Sequence, residues 1–109
     1  MAMKPVPFGG VSLGVSATTV GTVTGNTRWI VQKCALSNYG GSPSVVSLWL
    51  VPSGGTPGDN YLIESATLQA GETWSSPAIE RLVALAGATI QGSATPATVN
   101  ASGAALEVT

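Results

Sequence analysis

The chain contains no histidine, a single cysteine, and only four basic and five acidic residues in 109. Without histidine, one subunit cannot build a Ser-His or Cys-His nucleophile system or an imidazole-ligated metal site. With Cys34 alone, neither an intrachain disulfide nor a multi-cysteine metal centre can form. The charges nearly cancel, to a formal −1, which leaves no electrostatic footprint for a phosphate backbone or an anionic membrane. No apolar run approaches the length of a membrane-spanning helix. The opening "MAMKPVPFGG" has no apolar core of the kind a secretory signal needs, so the chain is expected to be made in a cytoplasm and not exported.

The charged fraction is 8%, against about 25% in an ordinary soluble domain. Much of the surface must therefore be Ser, Thr, Gly, Ala and Asn, a composition suited to burial against other subunits. The hydrophobic fraction of 44% supports one domain with a single modest core. The carboxylates Asp59, Glu64, Glu72, Glu80 and Glu107 are scattered singly. The nearest approach to an oxygen-ligand cluster, Asp59 with Asn60 and Glu64, reads as a turn aspartate plus a solvated strand glutamate, and no calcium loop is present. Neither an enzyme nor a cofactor or metal site is expected.

The apolar residues that are present recur with a period of two, and Gly, Pro, Asn or Ser interrupts almost every stretch before a helix could form. Strands are expected at 11–15, 19–24, 28–37, 45–51, 61–68, 73–76, 79–85, 88–94, 98–101 and 104–108. "TGNT" at 24–27 and "SNYGGSPS" at 37–44 read as strand connections. "PSGGTPGDN" at 52–60 has the length of a crossing between two sheets, and it lacks the helix start or Lys-Ser/Thr pair of a phosphate cradle. Over 76–86 a helix beginning at Pro77 competes with a strand, and the strand is preferred. The pattern Ala-Gly-x-Thr plus a bulky apolar residue occurs in both "LQAGETW" and "ALAGATI". It reads as a turn with glycine at positive φ, used twice.

The fold expected is all-β: a single antiparallel β-sandwich, jelly-roll-like, with an immunoglobulin-like Greek key as the alternative. Residues 1–10 form an extended N-terminal arm and 11–109 the sandwich. The expected core comprises Val31, Cys34, Leu36, Val46, Leu48, Leu50, Leu62, Leu68, Ile79, Leu82, Ile90, Val99 and Leu106. Cys34 reads as a small buried hydrophobe, with a reactive thiol as the alternative.

Aromatic and apolar residues outside that core supply the interface candidates: Trp29, Val45, Trp49, Val51 and Trp74. "VVSLWLV" at 45–51 is apolar in both strand phases apart from Ser47, so burial is expected on both faces, on one side by another subunit or element. Trp49 fills the core, lies at an interface or stacks on a sugar. In the arm, Pro5 and Pro7 exclude a central strand. Met3, Val6 and Phe8 could anchor it on a neighbour, with Lys4 reaching an acidic group there. Deleting 1–8 would then leave folding unchanged. A homo-oligomer is expected, a trimer in preference to a dimer.

The succession "TRWIVQKCALSN", "VSLWLVPSGG", "LQAGETW" and "ALAGATIQGSA", followed by a short alternating strand, resembles a family of small tailed-bacteriophage virion proteins. The likeness runs roughly from 19 to 108, and "MAMKPVPFGGVSLGV" departs from it. It implies a β-sandwich located in the virion, acting as a capsid decoration (cement) protein on the major capsid protein lattice, or as a tail, baseplate or fibre component. A carbohydrate-binding module is a further alternative, drawn from the tryptophans rather than from the resemblance.

Overall fold

Among the described residues, the β-branched, period-two segments fold into nine strands: β1 (Met3–Ser12), β2 (Thr18–Thr22), β3 (Arg28–Asn38), β4 (Ser44–Val51), β5 (Leu62–Leu68), β6 (Thr73–Ser75), β7 (Val83–Ala84), β8 (Thr89–Thr95) and β9 (Val99–Val108). The structure, a computed structural model, describes residues 3–109. One sheet has the order β1-β9-β3-β6, with β7 also paired to β3, and the other has the order β2-β8-β4-β5. Every pairing is antiparallel. With β6 and β7 counted as one interrupted strand, this is the two-sheet, double Greek-key order of a jelly roll. An immunoglobulin-like sandwich would set its first two strands side by side in one sheet. Here β1 and β2 lie in opposite sheets, which rejects that alternative.

Alternation places the core. In β3, Trp29 and Val31 point inward, a bulge between Val31 and Lys33 resets the phase, and Cys34, Leu36 and Asn38 then point inward. Val46 and Leu48 of β4, Ile90 and Ala94 of β8, and Val99, Ala101 and Ala105 of β9 fill the space between the sheets. Leu50 and Leu82 are only partly buried against this cluster. Two expected core residues are not in it. Leu62 is 41% exposed, because a bulge between Leu48 and Trp49 pairs it with Trp49 on the outer face. Leu106 faces outward because 98–101 and 104–108 are one continuous strand with Ala101 and Ala105 inward, so position 106 falls in the opposite phase.

The N-terminal boundary also moves. From Met3 onward the expected arm is β1, the edge strand of the first sheet, paired with β9 from Met3↔Val108 to Ser12↔Asn100. Met1 and Ala2 of that arm lie outside the described residues. Pro5 and Pro7, two apart, face the same edge of the strand, so both missing N–H groups fall on the side away from β9. The segment 52–60 does not cross between sheets, since it joins β4 to β5 within one sheet. The expected strand 79–85 contracts to β7, because turns occupy 77–81 and Arg81 adopts φ 70°.

The two Ala-Gly units are the same turn. In each, the residue after glycine donates its N–H to the carbonyl three residues back, Glu72 to Gln69 and Ala88 to Leu85, both at 3.0 Å. Gly71 has φ 76° and Gly87 has φ 82°. A Cβ at Gly71 would meet open space, whereas one at Gly87 would meet Ser53 Oγ at 2.7 Å. Gly71→Ala is therefore expected to cost about 1 kcal/mol, the left-handed backbone penalty alone. Gly87→Ala should cost more, and a urea titration that reverses the order, or shows stabilisation, would contradict the turn assignment.

Candidate interaction surfaces

Several residues expected at an interface are used inside the chain. Phe8 is buried and stacks on buried Trp29, with ring centroids 5.4 Å apart. Val6 and Trp74 pack, partly buried, against the core. Val51 is buried but stands apart from the core cluster, with its side chain against the Pro52–Gly55 turn, so the loop of its own chain covers it. The acid near Lys4 is also internal, since Nζ lies 3.8 Å from Glu107, which in turn accepts the Trp29 Nε1 proton at 3.4 Å. Burial thus removes Phe8, Trp29 and Val51 as contact residues. Met3 and Val45 remain more than half exposed, and Trp49 is half-buried.

Trp49 does not fill the core. The inward phase of β4 is Ser44, Val46, Leu48 and Leu50, and the outward phase is Val45, Ser47, Trp49 and Val51. Across the outer face of the second sheet, Trp49 stands level with Leu62 and Gln91, and Gln91 is level with Thr19. Ser47 is level with Ser65 and Ser93, and Val45 with Thr67 and Thr95. Ser47 and Ser65 share a hydrogen bond of 2.8 Å between their hydroxyls. None of these outward positions carries a charge. Glu64, the one acid in the sheet, points inward and accepts from Ser76 Oγ at 2.7 Å and from the Ala78 N–H at 3.4 Å.

The outer face of the first sheet is divided. An apolar row crosses it at one level, Pro5, Leu106, Ile30 and Val83. Arg28 and Lys33 flank that row, level with Val108 and Ala104. Further along, the same face is polar, with Ser102, Ser75, Asn100 and Thr73. Val83 also lines an end cleft of about 450 Å³ together with Leu50, Pro52, Tyr61, Leu85 and Ala88. The cleft is mostly apolar, with the Ser53 hydroxyl and the Tyr61 phenol as its polar side chains. Among the described residues, no three of His, Cys, Asp and Glu converge as metal ligands.

Cys34 is fully buried, and burial pushes its thiol up to about 11. The reading as a small core hydrophobe therefore holds, because a thiol that is neutral and inaccessible at neutral pH is a poor nucleophile. A thiol reagent at pH 8 is expected to leave Cys34 unmodified in the folded protein and to modify it fully in denaturant. Rapid labelling without denaturant would place the thiol at the surface.

Sequence reasoning missed Asn38. It assigned the residue to a turn, yet Asn38 is 1% exposed and makes a cluster of hydrogen bonds at the end of β3. The available signal was its even spacing after Cys34 and Leu36, which continues the inward phase.

The sequence matches no family model and no curated protein. The fold is similar to a chain in the solved structure of the disulfide-linked pili that form Bacillus endospore appendages. That match has a TM-score of 0.51 and 13% identity, covering 99% of this chain and 87% of that one. A chain of the infectious bursal disease virus Gt strain structure also matches, with a TM-score of 0.37 and 11% identity over 96% of this chain and 31% of that one. At these identities the pilus likeness establishes the fold, an antiparallel β-sandwich.

Proposed function

We propose that this chain is a non-enzymatic structural subunit of a larger assembly, and specifically a decoration (cement) protein bound to the major capsid protein lattice of a tailed-phage head. It would be made in the host cytoplasm, self-associate and end in the virion. The observation that carries this reading is the pair of outer sheet faces. One has no charged position, and the other holds the row Pro5, Leu106, Ile30 and Val83 across its full width. Broad, weakly charged faces suit packing between proteins, where the interface core is depleted of charge. The end cleft, where the Ser53 and Tyr61 hydroxyls have no carboxylate, amine or other base among the lining residues to activate them, suits the same reading better than catalysis.

Disulfide-linked assembly, as in the pilus structure, does not transfer to this chain. Its one thiol, Cys34, is sealed in the core and unavailable to a partner while the sandwich is folded.

The test is binding of the purified protein to undecorated capsids, followed by cryo-EM of the saturated particles. Hundreds of copies ordered on the head would support decoration. A dozen or fewer per virion would instead favour a tail, baseplate or fibre component, and absence from purified virions would overturn the reading. Val83→Asp and Leu106→Asp, each placing a charge on the apolar row, should weaken capsid binding if that face makes the contact.

A further inference from the structure

A jelly roll leaves four sheet edges, and in this chain three of them are blunted. The β1 edge carries Pro5 and Pro7 and a bulge between Gly9 and Val11, so it lacks a regular row of donors. The β2 edge is five residues long and bulged between Thr19 and Gly21. On the far side of β3, strands β6 and β7 have three and two residues and are separated by turns. β5 is different. It has seven residues and no proline, and although it is bulged at Ile63, its register against β4 is regular over the five residues from Glu64↔Leu48 to Leu68↔Ser44, the longest regular stretch on any of the four edges without proline. Among the described residues, no backbone hydrogen bond reaches its open side.

We infer that β5 is the self-association edge, pairing antiparallel with β5 of a second copy about a two-fold axis at Ser65. The centre of the strand, "ESA" at 64–66, is self-complementary in that register. Ser65 faces its own copy and Glu64 faces Ala66, and regular pairing stops there because the bulge at Ile63 turns Leu62 to the outer face while Leu68 points into the core. The only charge thus meets an alanine rather than its own like. An inward-pointing acid on an edge strand can act as a gatekeeper. Here the Glu64 carboxylate already accepts from Ser76 and Ala78, which turns it into the sandwich and away from the open edge. The existing level of Ser93, Ser47 and Ser65 would continue through the axis into the same three residues of the partner. The hydroxyl pairing already present between Ser47 and Ser65 would extend as one row across an eight-stranded sheet.

The two-fold closes the assembly at two copies, so this inference selects a dimer over a trimer. It deepens the proposed assembly role, but it is tested on the isolated protein without capsids. Failure of edge pairing therefore leaves the capsid reading standing, and failure of a dimeric protein to bind capsids leaves the edge standing. A seven-residue edge is smaller than a standard interface, so association should depend on concentration over roughly 10 µM to 1 mM.

Sedimentation equilibrium should show the wild type moving from 10.8 kDa toward twice that mass as concentration rises. Ser65→Lys should stay monomeric, because each lysine would face its own copy across the axis. Ser65→Glu should stay monomeric for the same reason, and an equimolar mixture of the two should recover the dimer. Asn100→Lys, on the outer face of the opposite sheet, should dimerise like the wild type. Amide exchange of the wild type should slow in β5 at high concentration and not in β1. A wild type that remains monomeric to 1 mM, a Ser65→Lys dimer, or a Lys/Glu mixture that stays monomeric would each overturn the inference.

Discussion

Replacing Phe8 with alanine is expected to destabilise the sandwich by about 3–5 kcal/mol, the range for emptying a buried aromatic site. The ring is held on several sides. It stacks on Trp29 with an interplanar angle of 24°. A Cβ at Gly21 would come within 3.2 Å of it, and a Cβ at Gly103 would collide with the ring and with the Lys33 carbonyl. The two glycines therefore form a slot that fits the ring only because neither carries a side chain. Alanine at position 8 would leave a cavity that neither glycine can fill, and would remove a favourable aromatic pair. Deleting residues 1–8 goes further, since it strips most of β1 from β9 and exposes Ala101, Ala105 and Trp29 to water. The truncated chain is expected to lose its cooperative thermal transition. This reverses the expectation that residues 1–8 are a dispensable arm. The nearby Lys4 contact to Glu107 matters little by comparison, because the lysine is 71% exposed and such pairs contribute about 0–1 kcal/mol. Lys4→Ala should melt like the wild type. A truncated protein that also melts like the wild type would show that β1 is not part of the cooperative unit.

The failure to see β1 in the sequence has a specific cause. Two prolines argue against a strand only when their missing donors face a neighbour. Spaced two apart on an edge strand, they cost no ladder hydrogen bond and guard the open side. Strand edges are set by tertiary arrangement, which local pattern does not encode. The same reasoning explains the division of 98–108. Gly103 looked like a break between strands, but it is a point of close approach under Phe8, a contact across ninety-odd residues. What was legible was the punctuation. The Ala-Gly turns, the strands carrying Val31, Leu36, Val46, Leu48 and Ile90, and the sandwich class all follow from alternation and turn chemistry. On the surface, composition announced weakly charged faces, but it did not say which residues face out. That depended on bulges at Val31/Lys33 and Leu48/Trp49, each of which shifts the phase by one residue. A bulge leaves no reliable mark in a single sequence, so Leu62 reads as inward, whereas Leu106 reads as inward because the continuity of β9 through Gly103 is hidden.

Asn38 offers the other large effect. Its Nδ2 donates to the carbonyls of Ser42 at 2.9 Å, Leu68 at 3.2 Å and Gln69 at 3.3 Å. Its Oδ1 accepts from the Gly40 N–H at 3.0 Å and from Thr98 Oγ1 at 2.9 Å. Its own backbone bonds Glu72 and Gly71, both at 2.9 Å. One buried side chain thus joins three connections, from β3 to β4, from β5 to β6 and from β8 to β9. Asn38→Ala should cost about 2–4 kcal/mol, since buried groups lose partners that water cannot fully replace. Asn38→Asp separates the donor half of the network from the acceptor half. Aspartate keeps the acceptor toward Gly40 and Thr98 but points a carboxylate at three carbonyl oxygens. Both burial and those carbonyls favour the protonated acid, so its pKa in the folded state is raised above the unfolded value of about 3.9. The folded state then binds more protons than the unfolded state as pH rises above that value, and stability falls with pH across the interval. The deficit of Asn38→Asp relative to the wild type should be smallest below about pH 3.9, where the acid can still donate one hydrogen bond, and should widen as pH rises through the raised value. Urea titrations of both proteins at acid and neutral pH measure the difference directly and cancel the titration of the native carboxylates they share. A deficit that is constant with pH, or larger in acid, would mean that the position tolerates a carboxylate and that the three carbonyls are satisfied by water instead.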